Sequence, residues 1–106
     1  MNPILESKMP AITELCRKYG IAKLEVFGSA NTPQFDPERS DFDFILELSD
    51  NGDYFVRYME FADALEQVLG HAVNLLSEER LRPRFLESIV PSREVIYAST
   101  DQTVAA

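Results

Sequence analysis

Apolar positions along this chain follow two periods in turn, one near 3.6 residues and one of 2. Between Pro3 and Tyr19, Ile12, Leu15, Cys16 and Tyr19 fall on one helical stripe, and Gly20 supplies a natural stop. Lys23 to Phe27 alternates as a half-buried strand does. A polar loop from Ala30 to Ser40 follows, stiffened by Pro33 and Pro37. In the next run Phe42, Phe44, Leu46 and Leu48 take one strand face, and Asp41 and Asp43 take the other. Ser49 to Gly52 is a turn cluster, and Asp53 is placed to cap a helix reaching about Leu69. Phe55, Met59, Ala62, Leu65 and Leu69 recur at helical spacing on it and are predicted to face the sheet.

Gly70 ends that helix, and His71 to Leu76 reads as a third strand. A strand–helix–strand unit predicts that strands two and three run parallel through a right-handed crossover. Asn74 then lies beside the strand that carries Asp41 and Asp43. Ser77 to Val90 predicts a short helix interrupted or restarted at Pro83, and Glu94 to Tyr97 a short edge strand. The whole is an α/β (α+β) pattern: a mixed sheet of three to four strands packed by two main helices. One domain is expected over residues 1–98, with a disordered tail over 99–106.

Composition narrows the classes. A chain of 106 residues, 45% hydrophobic, can bury one modest core. The single cysteine, Cys16, excludes an internal disulfide and fits a reducing cytoplasm; its place in the first helical stripe makes it a packing residue rather than a nucleophile. No apolar run reaches membrane-spanning length, and the first residues lack the pattern of a signal peptide. The net charge of −8 argues against direct nucleic-acid binding and fits a basic protein partner.

The candidate chemistry lies at the junction of strands one and two. Gly28-Ser29 closes the first apolar run and Asp41-Phe42-Asp43 opens the second, with eleven residues between, Ala30 to Ser40. Backbone N–H groups at a Gly-Ser turn can hold phosphate oxygens. Carboxylates two residues apart on one strand face sit about 6.5 Å from each other and can converge on one ion. Each half alone is ordinary turn or hairpin composition. Together, at two strand ends joined by one loop, they read as a site for a nucleotide and its Mg²⁺. His71, a lone imidazole at a strand start, is a weaker candidate for a ligand or proton-transfer role. Arg80, Arg82, Arg84 and Arg93 concentrate positive charge in an acidic chain, as a solvated face, a phosphate contact or a docking surface.

These residues resemble the nucleotidyltransferase superfamily that includes polymerase beta and the kanamycin nucleotidyltransferases, whose signature is Gly-Ser, a spacer, then Asp-x-Asp. More narrowly the chain is similar, from about Ile12 to Tyr97, to the minimal nucleotidyltransferase antitoxins encoded beside HEPN-domain ribonuclease toxins. The resemblance implies a small nucleotidyltransferase fold and an antitoxin that moves AMP from ATP, with Mg²⁺, to a tyrosine of its toxin. It casts Gly28 and Ser29 as nucleotide-binding residues and Asp41 and Asp43 as catalytic metal ligands.

Three features depart from that pattern. The spacer is one residue longer than is usual, and Thr32 and Pro33 stand where Arg and Gly are common. The third carboxylate, expected in a Val-Asp-Leu context, is replaced in Val73-Asn74-Leu75. Asn74 offers a carbonyl oxygen but no charge and no useful basicity. Two other readings therefore stay open: an antitoxin that only binds its toxin, and the detached head of a drug- or RNA-modifying transferase. The chain has no room for an acceptor domain, so the acceptor is expected on a partner protein.

Overall fold

The computed structural model of the protein describes residues 2–49 and 52–99. Helix α1 spans Pro3–Lys18. Asn2 starts it: its side-chain oxygen accepts from the N–H groups of Ile4 (2.9 Å) and Leu5 (3.2 Å), two donors the helix itself leaves unpaired. Strands β1 (Ile21–Phe27) and β2 (Phe42–Leu48) follow, then α2 (Tyr54–Leu69), β3 (Val73–Ser77), a seven-residue α3 (Pro83–Ile89) and β4 (Glu94–Ala98). The sheet order is β3-β2-β1-β4. β1 pairs antiparallel with both β2 and β4, and β2 pairs parallel with β3, as the strand–helix–strand pattern predicts.

Two apolar layers enclose this sheet. The larger contains Leu5, Ile12 and Cys16 of α1, Leu24 and Val26 of β1, Phe42, Phe44 and Leu46 of β2, and Phe61, Leu65 and Leu69 of α2. The smaller lies on the opposite face, where Phe27 and Ile45 meet Ile89 of α3 with Leu76, Leu81 and Leu86 around them. β2 is therefore covered on both faces at its middle. Its polar positions survive only near its ends.

The structure corrects several expectations. On α2, Phe55 and Met59 do not face the sheet; they are 74% and 47% exposed. Tyr58, Phe61, Ala62, Leu65, Val68 and Leu69 take the inward face instead. The Tyr58 hydroxyl donates to the Leu75 carbonyl and ties the helix to β3. Asp53 stands at the N-cap position, but with a left-handed φ of 53° and no capping bond from its side chain. β3 starts at Val73 rather than His71. Ser99, assigned to the tail, donates its N–H to the Ala22 carbonyl at 2.8 Å; residues 100–106 of that expected tail lie outside the described residues.

Candidate functional site

β1 ends where β2 and β3 begin, so one end of the sheet gathers three strand termini. Phe27, Asp43 and Asn74 form a single row across them, Phe27 paired with Asp43 and Asp43 with Asn74. Side chains alternate along a strand, and the larger core takes Phe42 and Phe44. Asp43 is thereby turned to the other face. There its Oδ1 accepts from the Asn74 amide at 2.9 Å. The position at which a third carboxylate was expected is thus in direct contact with Asp43.

Gly28 completes the arrangement from the other side. The chain turns at φ +75°, and a Cβ at this position would lie 2.5 Å from Asp43 Oδ2. The left-handed backbone favours glycine, and any Cβ here would push the Asp43 carboxylate out of place. Residues Gly28–Asn31 then form one 3₁₀ turn, closed by Thr32, whose N–H and hydroxyl both donate to the Ser29 carbonyl at 3.0 Å. Asp41 sits just before β2 and is exposed. The structure therefore sets Gly28 against Asp43, with Ser29 next along the turn and Asp41 exposed two residues before Asp43.

The connection between the two halves is itself ordered. Phe35 packs on Phe42 with ring centroids 5.0 Å apart, and a short turn closes where the Ser40 N–H donates to the Asp36 carbonyl, the Asp36 N–H to the Ser40 hydroxyl and the Glu38 N–H to the Asp36 carboxylate. His71 places its Nε2 2.8 Å from the Pro37 carbonyl and its Nδ1 2.9 Å from the Leu69 carbonyl. It is a brace between this loop and the start of β3, with each ring nitrogen facing a backbone carbonyl.

Two sets of contacts were invisible to sequence reasoning. Ser92 Oγ accepts the Gly28 N–H at 2.9 Å, and the Ser92 carbonyl accepts the Asn31 side-chain amide at 2.8 Å. A phosphate taking the Gly28 N–H must therefore displace the Ser92 hydroxyl. Next to it, the Arg93 guanidinium bonds the Glu25 carboxylate through two nitrogens and also bonds Glu78, while Lys23 Nζ lies 3.2 Å from Glu25. Burial by itself would raise the Glu25 carboxyl, but the hydrogen bonds and charges of Arg93 and Lys23 outweigh it and hold its pKa below 4.5. Pairs separated by 64 and 68 residues leave no local signature.

The four arginines do not act as one group. Arg93 belongs to this buried network, and Arg80 lies over the Tyr54 ring, 5.8 Å from its centroid. Arg82 and Arg84 are exposed around the start of α3. Cys16 is fully buried, and burial pushes its thiol up to about 12, which removes it from nucleophilic chemistry. Among the described residues no helix is long and apolar enough to cross a membrane.

A family model described as the nucleotidyltransferase domain matches residues 9–96. No curated protein sequence matches the chain. Among solved structures, one described as a minimal nucleotidyltransferase superposes with a TM-score of 0.71 at 29% identity, over 85% of this chain and 90% of that one. A tri-AMPylated Shewanella oneidensis HEPN toxin in complex with its MNT antitoxin gives a TM-score of 0.63 at 18% identity, over 94% and 77% of the two chains. A toxin–antitoxin structure with AMP-PNP gives 0.65 at 20%, over 89% and 76%. At those lower identities the likeness is one of fold.

Proposed function

We propose that this chain, which belongs to the nucleotidyltransferase domain family, is the antitoxin of a pair whose other member is a HEPN-domain toxin, and that it silences the toxin by transferring AMP from ATP to one of its tyrosines. The observation that carries this reading is the contact between the Gly28 turn and the Asp43 carboxylate, which joins a phosphate-holding turn to an acidic strand end. The antitoxin complexes of the same fold support the choice of partner.

The residues fit a hard divalent cation only in company with a nucleotide. Asp41 and Asp43 offer carboxylate oxygens of the type Mg²⁺ selects. Among the described residues there is no cluster of three or more His, Cys, Asp or Glu that would hold an ion unaided. Phosphate oxygens of ATP would supply the missing ligands, and the bound ion would neutralise phosphate charge. Ser29 and the amides of its turn would hold the terminal phosphates. The partner's hydroxyl would attack the α-phosphorus, forming a P–O bond as pyrophosphate leaves, with no intermediate on this chain.

Asn74 favours a second reading, in which catalysis is weak and inhibition comes from covering the toxin. Its amide supplies no base for the attacking hydroxyl and already donates to Asp43. Mass spectrometry of the toxin after co-expression separates the two. An added AMP unit that vanishes in the Asp41→Asn, Asp43→Asn double variant is expected. A silent but unmodified toxin in a stable complex would transfer the conclusion to binding alone.

A further inference from the structure

The end of the molecule opposite Asp41 and Asp43 carries surface that a solitary soluble domain has no use for. From Asp43 to its last residue, Leu48, β2 covers roughly 17 Å, and α2 begins beyond that far end. On its first turns Phe55 is 74%, Val56 54% and Met59 47% exposed. Beside them opens a cavity of about 600 Å³ lined by Tyr54, Phe55, Tyr58, Leu76 and Leu81. Two adjoining features thus want a counterpart: apolar side chains in water and a largely apolar recess.

The charge around this patch says what the counterpart is. Exposed Asp53 just before α2 and Glu60 and Asp63 on it border the patch, and Glu79 borders the cavity, with Arg80 a basic group on the rim. A neighbouring recess is lined by Glu47, Glu78 and Glu79. A second copy of this chain would bring the same acidic rim against itself, in a protein whose net charge is −8. A partner with protruding apolar side chains ringed by Lys and Arg fits instead.

From this complementarity we infer that Phe55, Val56, Met59 and the adjoining cavity form the dock for the toxin partner, at the far end of the sheet from the nucleotide site. The inference rests on the toxin–antitoxin reading and deepens it: the partner is held at one end of the sheet, and its acceptor tyrosine lies on a segment that reaches the nucleotide site at the other. A toxin seated here leaves Asp41, Asp43 and the Gly28 turn open to nucleotide.

The test uses the full chain and its cognate HEPN-domain protein, with affinity measured by titration calorimetry. Phe55→Asp with Met59→Asp changes exposed side chains only and is expected to weaken the complex about 30-fold or more, as loss of central apolar anchors does, while Mg-ATP uptake by the variant is unchanged. Glu60→Lys with Asp63→Lys should weaken it further as salt is lowered. Unchanged affinity in the first variant overturns the dock and leaves the toxin–antitoxin reading standing. A wild-type chain that does not bind the HEPN protein overturns both. A wild-type chain that sediments as a dimer by itself, and as a monomer after Phe55→Asp with Met59→Asp, assigns the patch to a second copy and overturns the inference.

Discussion

Replacing Gly28 by alanine tests the contact on which the site depends, and Gly70 supplies the control. Both glycines hold similar left-handed backbones, φ +75° and +68°. An alanine at either costs about 1–2 kcal/mol of backbone strain. At Gly70 nothing lies within 4 Å of the added Cβ, so strain is the whole effect. At Gly28 the Cβ would stand 2.5 Å from Asp43 Oδ2, whereas ordinary contact begins at 3.4 Å. The carboxylate must retreat by close to 1 Å and loosen its bond from Asn74. A carboxylate at the end of a rotatable side chain moves at little cost to folding, so the two variants should melt within a few degrees of each other. They should both fall below wild type by roughly 4–8 °C per kcal/mol lost. Function separates them: a displacement of this size at a reacting centre costs on the order of 100-fold in rate. Calorimetric titration with Mg-ATP and the AMP-transfer assay supply the readout. Equal nucleotide uptake and equal transfer in Gly28→Ala and Gly70→Ala would refute the claim that the turn and Asp43 form one site.

Asn74→Asp puts a second carboxylate 2.9 Å from Asp43 Oδ1 in place of a donor; without a cation it should lower the melting temperature at neutral pH, recover it with Mg-ATP, and raise transfer. A variant whose melting temperature ignores Mg-ATP would remove Asn74 from the metal-ligand row. Glu25→Gln breaks a pair whose carboxylate side chain is 4% exposed and should cost about 3 kcal/mol at pH 7. Because the folded pKa of Glu25 is depressed, its contribution is present above 4.5 and is lost as pH falls through the lower folded value. Denaturant melts at pH 7, 5 and 3 should therefore show the gap between wild type and Glu25→Gln closing only below 4.5, and a constant gap would contradict the assignment. Cys16, with its thiol pushed up to about 12, should react with a disulfide reagent at pH 8 only through unfolding; labelling as fast as a small thiol would place it elsewhere than in the core.

Most of the element order was legible because each helix and strand carries its own period and stop. The place of Asn74 beside the Asp41/Asp43 strand followed from the parallel crossover, but the register that pairs it with Asp43 did not. The face of α2 did not, for a physical reason: two stripes share Ala62, Leu65 and Leu69 and diverge only in the first turns, where Phe55 and Met59 compete with Tyr58 and Phe61. Periodicity cannot choose between them, since the choice depends on the direction from which the chain arrives after β2. The smaller core under α3 and the Glu25–Arg93–Glu78 network were hidden for another reason. A charged pair in the interior looks, in sequence, like two residues on the surface. The Gly-Ser turn was visible, but the hydroxyl of Ser92 beneath it was not, because hydrogen bonds between distant segments have no spacing rule.

That last contact has a consequence for how the protein is made. Gly28 and Ser92 are separated by 64 positions, so a nascent chain on the ribosome carries the turn long before it carries the group that fastens it. The N-terminal helix and hairpin can assemble while synthesis continues. The Gly28 turn is therefore fastened only after residue 92 has been made.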